Sequence, residues 1–270
     1  MRIDVLTTFP ELFATAPSGV LGVSIPSRAI AAGALSVHAT NIRDFTTDKH
    51  QKTDDRPFGG GPGMVMLCQP LWDAVQAVEA LDDVQPARLA RRVLLTPQGV
   101  SLTQAMVERL ATEPRLLMIA GHYEGLDERV IEKLAPLEVS IGDYVLSGGE
   151  LGALVLIDAI ARLLPGVLGD QASSSQDSFS AFNLLAPKPL SKKSRAADAS
   201  GPAVARLLDC PHYTKPREWM GLPVPEVLLS GDHAKIEAWR LAQRLERTRQ
   251  RRPDILSEPK LGHDHGFGGL

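Results

Sequence analysis

Leu116-Leu117-Met118-Ile119-Ala120, running straight into Gly121-His122-Tyr123-Glu124-Gly125, is the stretch that decides the fold. An unbroken apolar run of strand length, ended by a glycine-bounded polar loop, reads as a buried strand and its exit. The same arrangement recurs on both sides. Val93-Leu94-Leu95 leads to Thr96-Pro97-Gln98-Gly99, and Ile3 to Phe9 leads to Pro10. Val139 to Ile141 leads to Gly142-Asp143-Tyr144-Val145-Leu146-Ser147-Gly148-Gly149. Helix-like segments lie among these runs at Pro70 to Leu81, Leu102 to Ala111 and Asp127 to Leu134. Strand and helix alternating in this order predict an α/β domain with a mostly parallel sheet. Ligands of such sheets gather beyond the carboxyl ends of the strands, where these loops fall.

Working outward, 270 residues allow one or two domains, and 44% hydrophobic with 23% charged residues excludes a disordered or collagen-like chain. With 29 basic and 32 acidic residues the net charge is -3, so any polyanion has to meet a local patch rather than a uniformly basic coat. Cys68 and Cys210 have no CxxC partner and no metal-ligand spacing, which predicts two reduced thiols in a cytoplasmic protein. The N-terminus has no signal-peptide pattern. The most apolar stretch, Leu151 to Gly169, contains Asp158 and Arg162 and ends in Pro165-Gly166, so it reads as a buried helix and loop, with no membrane span expected.

The texture changes near Leu168. Gly169 to Gln176 is small and polar, and Ala186-Pro187-Lys188-Pro189-Leu190-Ser191-Lys192-Lys193-Ser194-Arg195 is rich in proline and positive charge. This predicts an α/β domain over 1–167 and a flexible linker without regular structure over 168–206. A small helical domain over 207–255 and a disordered tail over 256–270 complete the division. The main helix of the small domain should run from His233 to Arg251, capped by Ser230 or Asp232, with Ile236, Trp239, Leu241 and Leu245 as its apolar face. Seven Lys and Arg against Glu237 and Glu246 make it locally basic.

Several motifs could carry chemistry. Phe58-Gly59-Gly60-Gly61-Pro62-Gly63 would let backbone N–H groups approach an anion, yet it has neither dinucleotide-binding nor P-loop spacing; a tight structural turn explains it equally well. Asp54-Asp55-Arg56 before it could orient a polar ligand or simply be solvated. The Ile141 to Gly149 loop holds one aromatic, Tyr144, and no cation, so it suits a neutral ring or ribose better than a triphosphate. Glu150, Leu154, Asp158 and Arg162 share a helix face, which is either an ordinary i,i+4 pair or a cation placed beside the glycine loops. Asp177 could be a solvated carboxylate, a cap, or a base carried on a lid. His50 and His122 could be bases or hydrogen-bonded loop residues. No HExxH or GxSxG device occurs.

Taken together and in order, these pieces go further. Phe9-Pro10-Glu11, Asp54 to Met64, Gly121 to Arg129, Ile141 to Glu150, Pro165 to Gly169, Asp177-Ser178-Phe179, Leu207 to Thr214 and Leu228 to His233 closely resemble the bacterial tRNA (guanine-N1)-methyltransferase family, of the SPOUT class. The resemblance implies a deep trefoil knot at the C-terminal end of the catalytic domain, against the general rule that chains do not knot. It also implies an obligate homodimer with composite active sites and S-adenosylmethionine bound in the knot. Pro97, Gly121, Tyr123, Glu124, Ile141, Gly142, Asp143, Tyr144, Val145, Leu146, Gly148 and Gly149 match the cofactor-contacting positions. Asp177 matches the general base for N1 of the guanine 3′ of the anticodon, and Arg162 matches the residue that holds charge on the base oxygen. Asp54, Gly63 and Ser178 match positions facing the RNA, with Lys235, Arg240 and Arg244 expected on tRNA phosphates. The family brings magnesium as well, with ligands that no spacing here locates. One departure stands out: Ser180 to Arg206 is roughly twenty residues longer than the family pattern, a cheap insertion in closure entropy. Lys188, Lys192, Lys193 and Arg195 make it a further expected RNA contact.

Overall fold

A computed structural model describes residues 1–17, 19–81, 90–169, 177–183 and 204–256. The chain divides into two compact units, Met1–Gly169 and Asp170–Leu270.

The first unit is built on five parallel strands: β1 (Arg2–Thr7), β2 (Ser36–Asn41), β5 (Arg91–Ser101), β6 (Arg115–Ala120) and β7 (Leu137–Ser140), in the spatial order β2-β1-β6-β5-β7. A two-residue ladder of β3 (Asp54–Asp55) and β4 (Val65–Met66) stands apart from it. Every residue of β6 is buried, as expected of a strand covered on both faces. Its one charge, Arg115, is tied to Asp4 of β1 at 2.9 Å and to the Val78 carbonyl at 2.6 Å. Helices α1 (Ser24–Ala31), α2 (Cys68–Glu79), α3 (Gln104–Leu110), α4 (Glu128–Leu134) and α5 (Glu150–Ala161) complete the unit. Leu71, Val75 and Val78 of α2 and Val130 and Leu134 of α4 meet Leu94, Leu117 and Ile119 in one core.

The three anticipated helices are α2, α3 and α4, each with shifted ends; Asp127 caps α4 by accepting from the Arg129 amide at 3.0 Å. Strand β2 escaped the sequence reading because Ser36-Val37-His38-Ala39-Thr40-Asn41 is an edge strand, half-exposed and without an apolar run. Leu151 to Gly169 is only partly buried: Leu151 and Val155 turn outward from α5.

In the second unit, β8 (Ala181–Asn183) pairs antiparallel with β9 (Val204–Arg206), Ala181 facing Arg206. This corrects the expectation of no regular structure across 168–206. Proline and lysine between the two strands dominate a local reading, whereas each strand owes its pairing to a partner some twenty residues away. Linker positions 170–176 and 184–203, including Lys188, Lys192, Lys193 and Arg195, and the tail from Ser257 onward lie outside the described residues. A hairpin, β10 (Glu218–Trp219) and β11 (Leu222–Pro223), precedes α6 (Glu226–Leu229) and α7 (His233–Arg251). Asp232, rather than Ser230, caps α7, accepting from the amides of Ala234 and Lys235 at 3.1 and 3.2 Å. Ile236, Trp239, Leu241 and Leu245 are only half-buried; the buried side chains of α7 are Arg244 and Thr248.

Candidate active site

Strand order reverses at β5: β6 lies on one side and β7 on the other. A crevice opens at such a point, beyond the carboxyl ends. Here it is a pocket of about 310 Å³ between three loops, those that follow Leu95, Ala120 and Ser140. The first is a break inside β5. Leu95 and Val100 both register against Val139, so Thr96-Pro97-Gln98-Gly99 is thrown out of the ladder, and Thr96, Pro97 and Gln98 form part of the pocket wall. The other two loops are stitched together: the Gly149 amide donates to the Gly121 carbonyl at 2.9 Å, and His122 and Gly148 form an antiparallel bridge. Pro97, Gly121, Tyr123, Glu124, Ile141, Gly142, Tyr144, Val145, Leu146, Gly148 and Gly149 all line the pocket; Asp143 is exposed and does not. Glu124, Glu128 and Glu138 also line it, and no Lys or Arg does.

Beneath the pocket lies a network that sequence reading missed. Glu150 opens α5 and is buried to 3% exposure. Its carboxylate accepts from Thr7 Oγ1 at 2.6 Å and meets His122 Nε2 at 2.8 Å through both oxygens. Thr7 Oγ1 in turn accepts from the Phe9 amide at 2.9 Å, and the Phe9 ring sits 5.0 Å from the His122 ring. The end of β1, the loop after β6 and the start of α5 are thereby fastened to one carboxylate. Gly148 has to be glycine here, since a Cβ would lie 2.3 Å from His122 Cε1 and 2.5 Å from Glu150 Oε2. The signal available in the sequence was Gly148-Gly149-Glu150 closing the loop. Nothing local ties that carboxylate to His122, twenty-eight positions earlier.

Arg162 is the half-buried C-cap of α5 in the first unit. Asp177 belongs to the second unit and starts a pinned turn. Its carbonyl accepts from the Ser180 amide at 3.2 Å, and Ser178 Oγ accepts from the Asp209 amide at 2.9 Å. Phe179, at φ +68°, donates its amide to the Leu207 carbonyl at 2.8 Å, and its own carbonyl accepts from the Arg206 guanidinium at 2.5 Å. The Arg252 guanidinium lies 5.5 Å from the ring centre of Phe179. The β8–β9 ladder therefore ends where the Asp177 turn is held.

The family model for tRNA (Guanine-1)-methyltransferase TrmD matches residues 1–258. The chain belongs to that family. Among curated relatives, the tRNA (guanine-N(1)-)-methyltransferase of Ruminiclostridium cellulolyticum is 47% identical over 258 residues, covering 96% of this chain and 97% of its own. That of Chloroflexus aurantiacus is 49% identical over 257 residues, 95% and 88% of the two chains, and that of Moorella thermoacetica 48% over 264 residues, 97% and 92%. Membership makes the chain a methyltransferase that acts in tRNA processing. The parallel α/β sheet agrees with it, and no helix among the described residues is long and apolar enough to cross a membrane.

For a member of this family the three basic residues expected on tRNA are not equivalent. Lys235 and Arg240 are solvent-accessible, each in a loose i,i+3 pair, with Asp232 at 3.2 Å and Glu237 at 2.9 Å. Arg244 is 6% exposed and pairs with Asp209 at 2.6 Å, so its charge is consumed inside the unit and the expectation of a phosphate contact is withdrawn. Burial alone would raise the Asp209 carboxyl, but His212, the Cys210 amide and Arg244 together hold it below the usual carboxylate range. A group lowered in this way stabilises the fold above the ordinary carboxylate pKa, and the contribution fades as acid carries it through its lowered value. Arg244→Ala should therefore lower stability by roughly 1–3 kcal/mol. Arg240→Ala should leave melting within about 0.5 kcal/mol and weaken tRNA binding. Thermal melts and tRNA titrations on both variants check this, and equal melting points would count against the assignment.

Asp209, Cys210 and His212 are the one group of three potential metal ligands among the described residues. A thiol, an imidazole and a carboxylate already bridged to Arg244 do not suit magnesium, a hard ion that wants oxygen ligands.

Proposed function

We propose that this chain methylates N1 of the guanine immediately 3′ of the anticodon, position 37, with S-adenosylmethionine as donor. The observation that carries the reading is the charge of the pocket in a chain of this family: three carboxylates and no cation among its lining residues. A nucleotide phosphate would be repelled there. S-adenosylmethionine carries no phosphate but has a sulfonium, an ammonium, a ribose and an adenine. Glu124, Glu128 and Glu138 suit its cationic and hydroxyl groups, Leu95, Leu126 and Ile131 its ring, and the bared backbone at Gly148 its carboxylate. Bound there, it would supply an electrophilic methyl group.

The remaining chemistry falls to the chain's own residues. Guanine N1 bears a proton and is a poor nucleophile until that proton leaves. Asp177 takes it as general base. The negative charge then spreads to the guanine oxygen, which Arg162 stabilises from the end of α5. Lys235 and Arg240 hold tRNA phosphates, contacts that position the RNA without reading its sequence. Asp54, Gly63 and Ser178 face the RNA by the same resemblance, and the pocket is knotted as in the SPOUT class. Incubating the full chain with labelled S-adenosylmethionine and a tRNA transcript carrying that guanine should yield N1-methylguanosine on nucleoside analysis. Label in a ribose or at another base would overturn the reading.

A homodimer with composite active sites and a cytoplasmic location belong to the same reading. An outward apolar face supports the dimer. Leu151 and Val155, one turn apart on α5, are 56% and 49% exposed, and Val20 and Val23, beside the α1 that packs on α5, are 51% and 47% exposed. A second copy covering them would remove the largest apolar exposure of these elements from water. Val155→Asp should run as a single subunit in light scattering and lose methyl transfer. A fully active monomer would exclude composite sites.

A further inference from the structure

The loop between β3 and β4 has well-anchored feet and a bare tip. At its outgoing foot the Glu124 amide donates to the Met64 carbonyl at 3.0 Å, and the Met66 amide to the Gly125 carbonyl at 2.9 Å. Gly63, at φ +79°, lies so close to the Glu124 side chain that a Cβ would sit 2.2 Å from Oε1. Glu124 lines the pocket, so the loop rises from the pocket's lip. At the tip, Gly59, Gly60 and Gly61 carry no side chain, and nothing lies within 4 Å of where a Cβ would be. What the tip does present is Phe58, 98% exposed, the most exposed of the large apolar side chains described. Two residues before it, Arg56 is exposed. The neighbouring Asp55 carboxylate is occupied by the Arg56 amide at 2.7 Å, and the Arg56 guanidinium pairs with no carboxylate among the described residues.

An uncovered aromatic face beside a guanidinium that makes no ion pair among the described residues complements a strand of nucleic acid: base on ring, phosphate on guanidinium. Resting on the reading above, in which a tRNA guanine enters the pocket, the requirement is specific. N1 lies on the pairing edge of a stacked base, so the guanine has to leave its stack to reach the pocket. Its neighbour then loses a stacking partner. We propose that Phe58 stacks on the nucleobase adjacent to the target guanine while Arg56 binds a flanking phosphate. The loop thereby becomes an RNA-positioning device at the pocket's lip.

The test is equilibrium binding of a tRNA transcript to the full chain at several salt concentrations. Wild type, Phe58→Ala, Phe58→Trp and Arg56→Ala are compared, with 2-aminopurine placed in separate transcripts on either side of the target guanine. Phe58→Ala should bind roughly 10-fold more weakly with an unchanged salt slope, because stacking releases no counterions. In one of the two transcripts the 2-aminopurine should be quenched by wild type and bright with Phe58→Ala. Phe58→Trp should restore both, and Arg56→Ala should reduce the salt slope by about 0.7–0.9. Unchanged affinity and fluorescence in Phe58→Ala, in a wild type that does methylate the transcript, would overturn this proposal alone. A smaller mass in light scattering would assign Phe58 to a second copy, and a changed S-adenosylmethionine affinity would assign it to pocket support; either would overturn it too. A wild type that neither binds nor methylates the transcript would remove the functional reading on which it rests.

Discussion

Asp177→Asn should lower methyl transfer to tRNA by roughly 10²–10⁴-fold, the span that a positioned general base contributes. Asparagine keeps the shape of the side chain but cannot accept the N1 proton. The turn around it keeps the fastenings made by Ser178 Oγ, by the Phe179 amide and carbonyl, and by the Phe179 ring beside Arg252, all of which the substitution leaves in place. S-adenosylmethionine affinity should hold as well, since Asp177 is not among the pocket's lining residues. The loss should therefore fall on kcat, measured in single-turnover assays with wild type alongside. It should shrink as the pH approaches the N1 pKa of guanine, where solvent removes the proton unaided. A variant within a few-fold of wild type at neutral pH would strip Asp177 of its role.

Glu150→Ala should have the largest effect on stability. It removes a buried acceptor on which Thr7 Oγ1 and His122 Nε2 both depend. Two stranded polar groups at about 1–3 kcal/mol each, with the void left by the side chain, suggest a loss of roughly 3–5 kcal/mol. For a unit of this size that lowers the melting temperature by roughly 10 °C. Ligand affinity should fall with it, because the Gly121 and Gly148 loops lose the brace that fixes their spacing. Glu150→Gln keeps an acceptor for Thr7 and should lose less. Differential scanning calorimetry on the three proteins decides the matter, and an unchanged melt for Glu150→Ala would mean that the network braces nothing.

Much of the site was legible because its ligand loops are local. The polar stretches after Leu95, Ala120 and Ile141 could be placed at strand ends from the apolar runs before them, and the structure gathers them into one pocket. Asp143 did not follow, because a residue within a contacting loop can still point to solvent. Arg244 misled for a related reason. In a basic helix every arginine looks available, and only the position of Asp209, thirty-five residues earlier, takes this one out of play. The β8–β9 ladder was invisible because neither three-residue strand has a pattern of its own.

The sequence by itself determined the alternation of strand and helix, the loops that end the strands, the start of the last helix near Ser230 to Asp232, and membership of the methyltransferase family. All of these depend on neighbours within a turn or on the order of motifs along the chain. Tertiary structure alone decided which loops meet across the reversal at β5, that Glu150 holds His122 and Thr7, that Arg244 is spent on Asp209, and that Phe58 stands uncovered at the pocket's lip. Each of these sets a group against a partner far away in sequence, and burial and hydrogen bonding depend on distance in space.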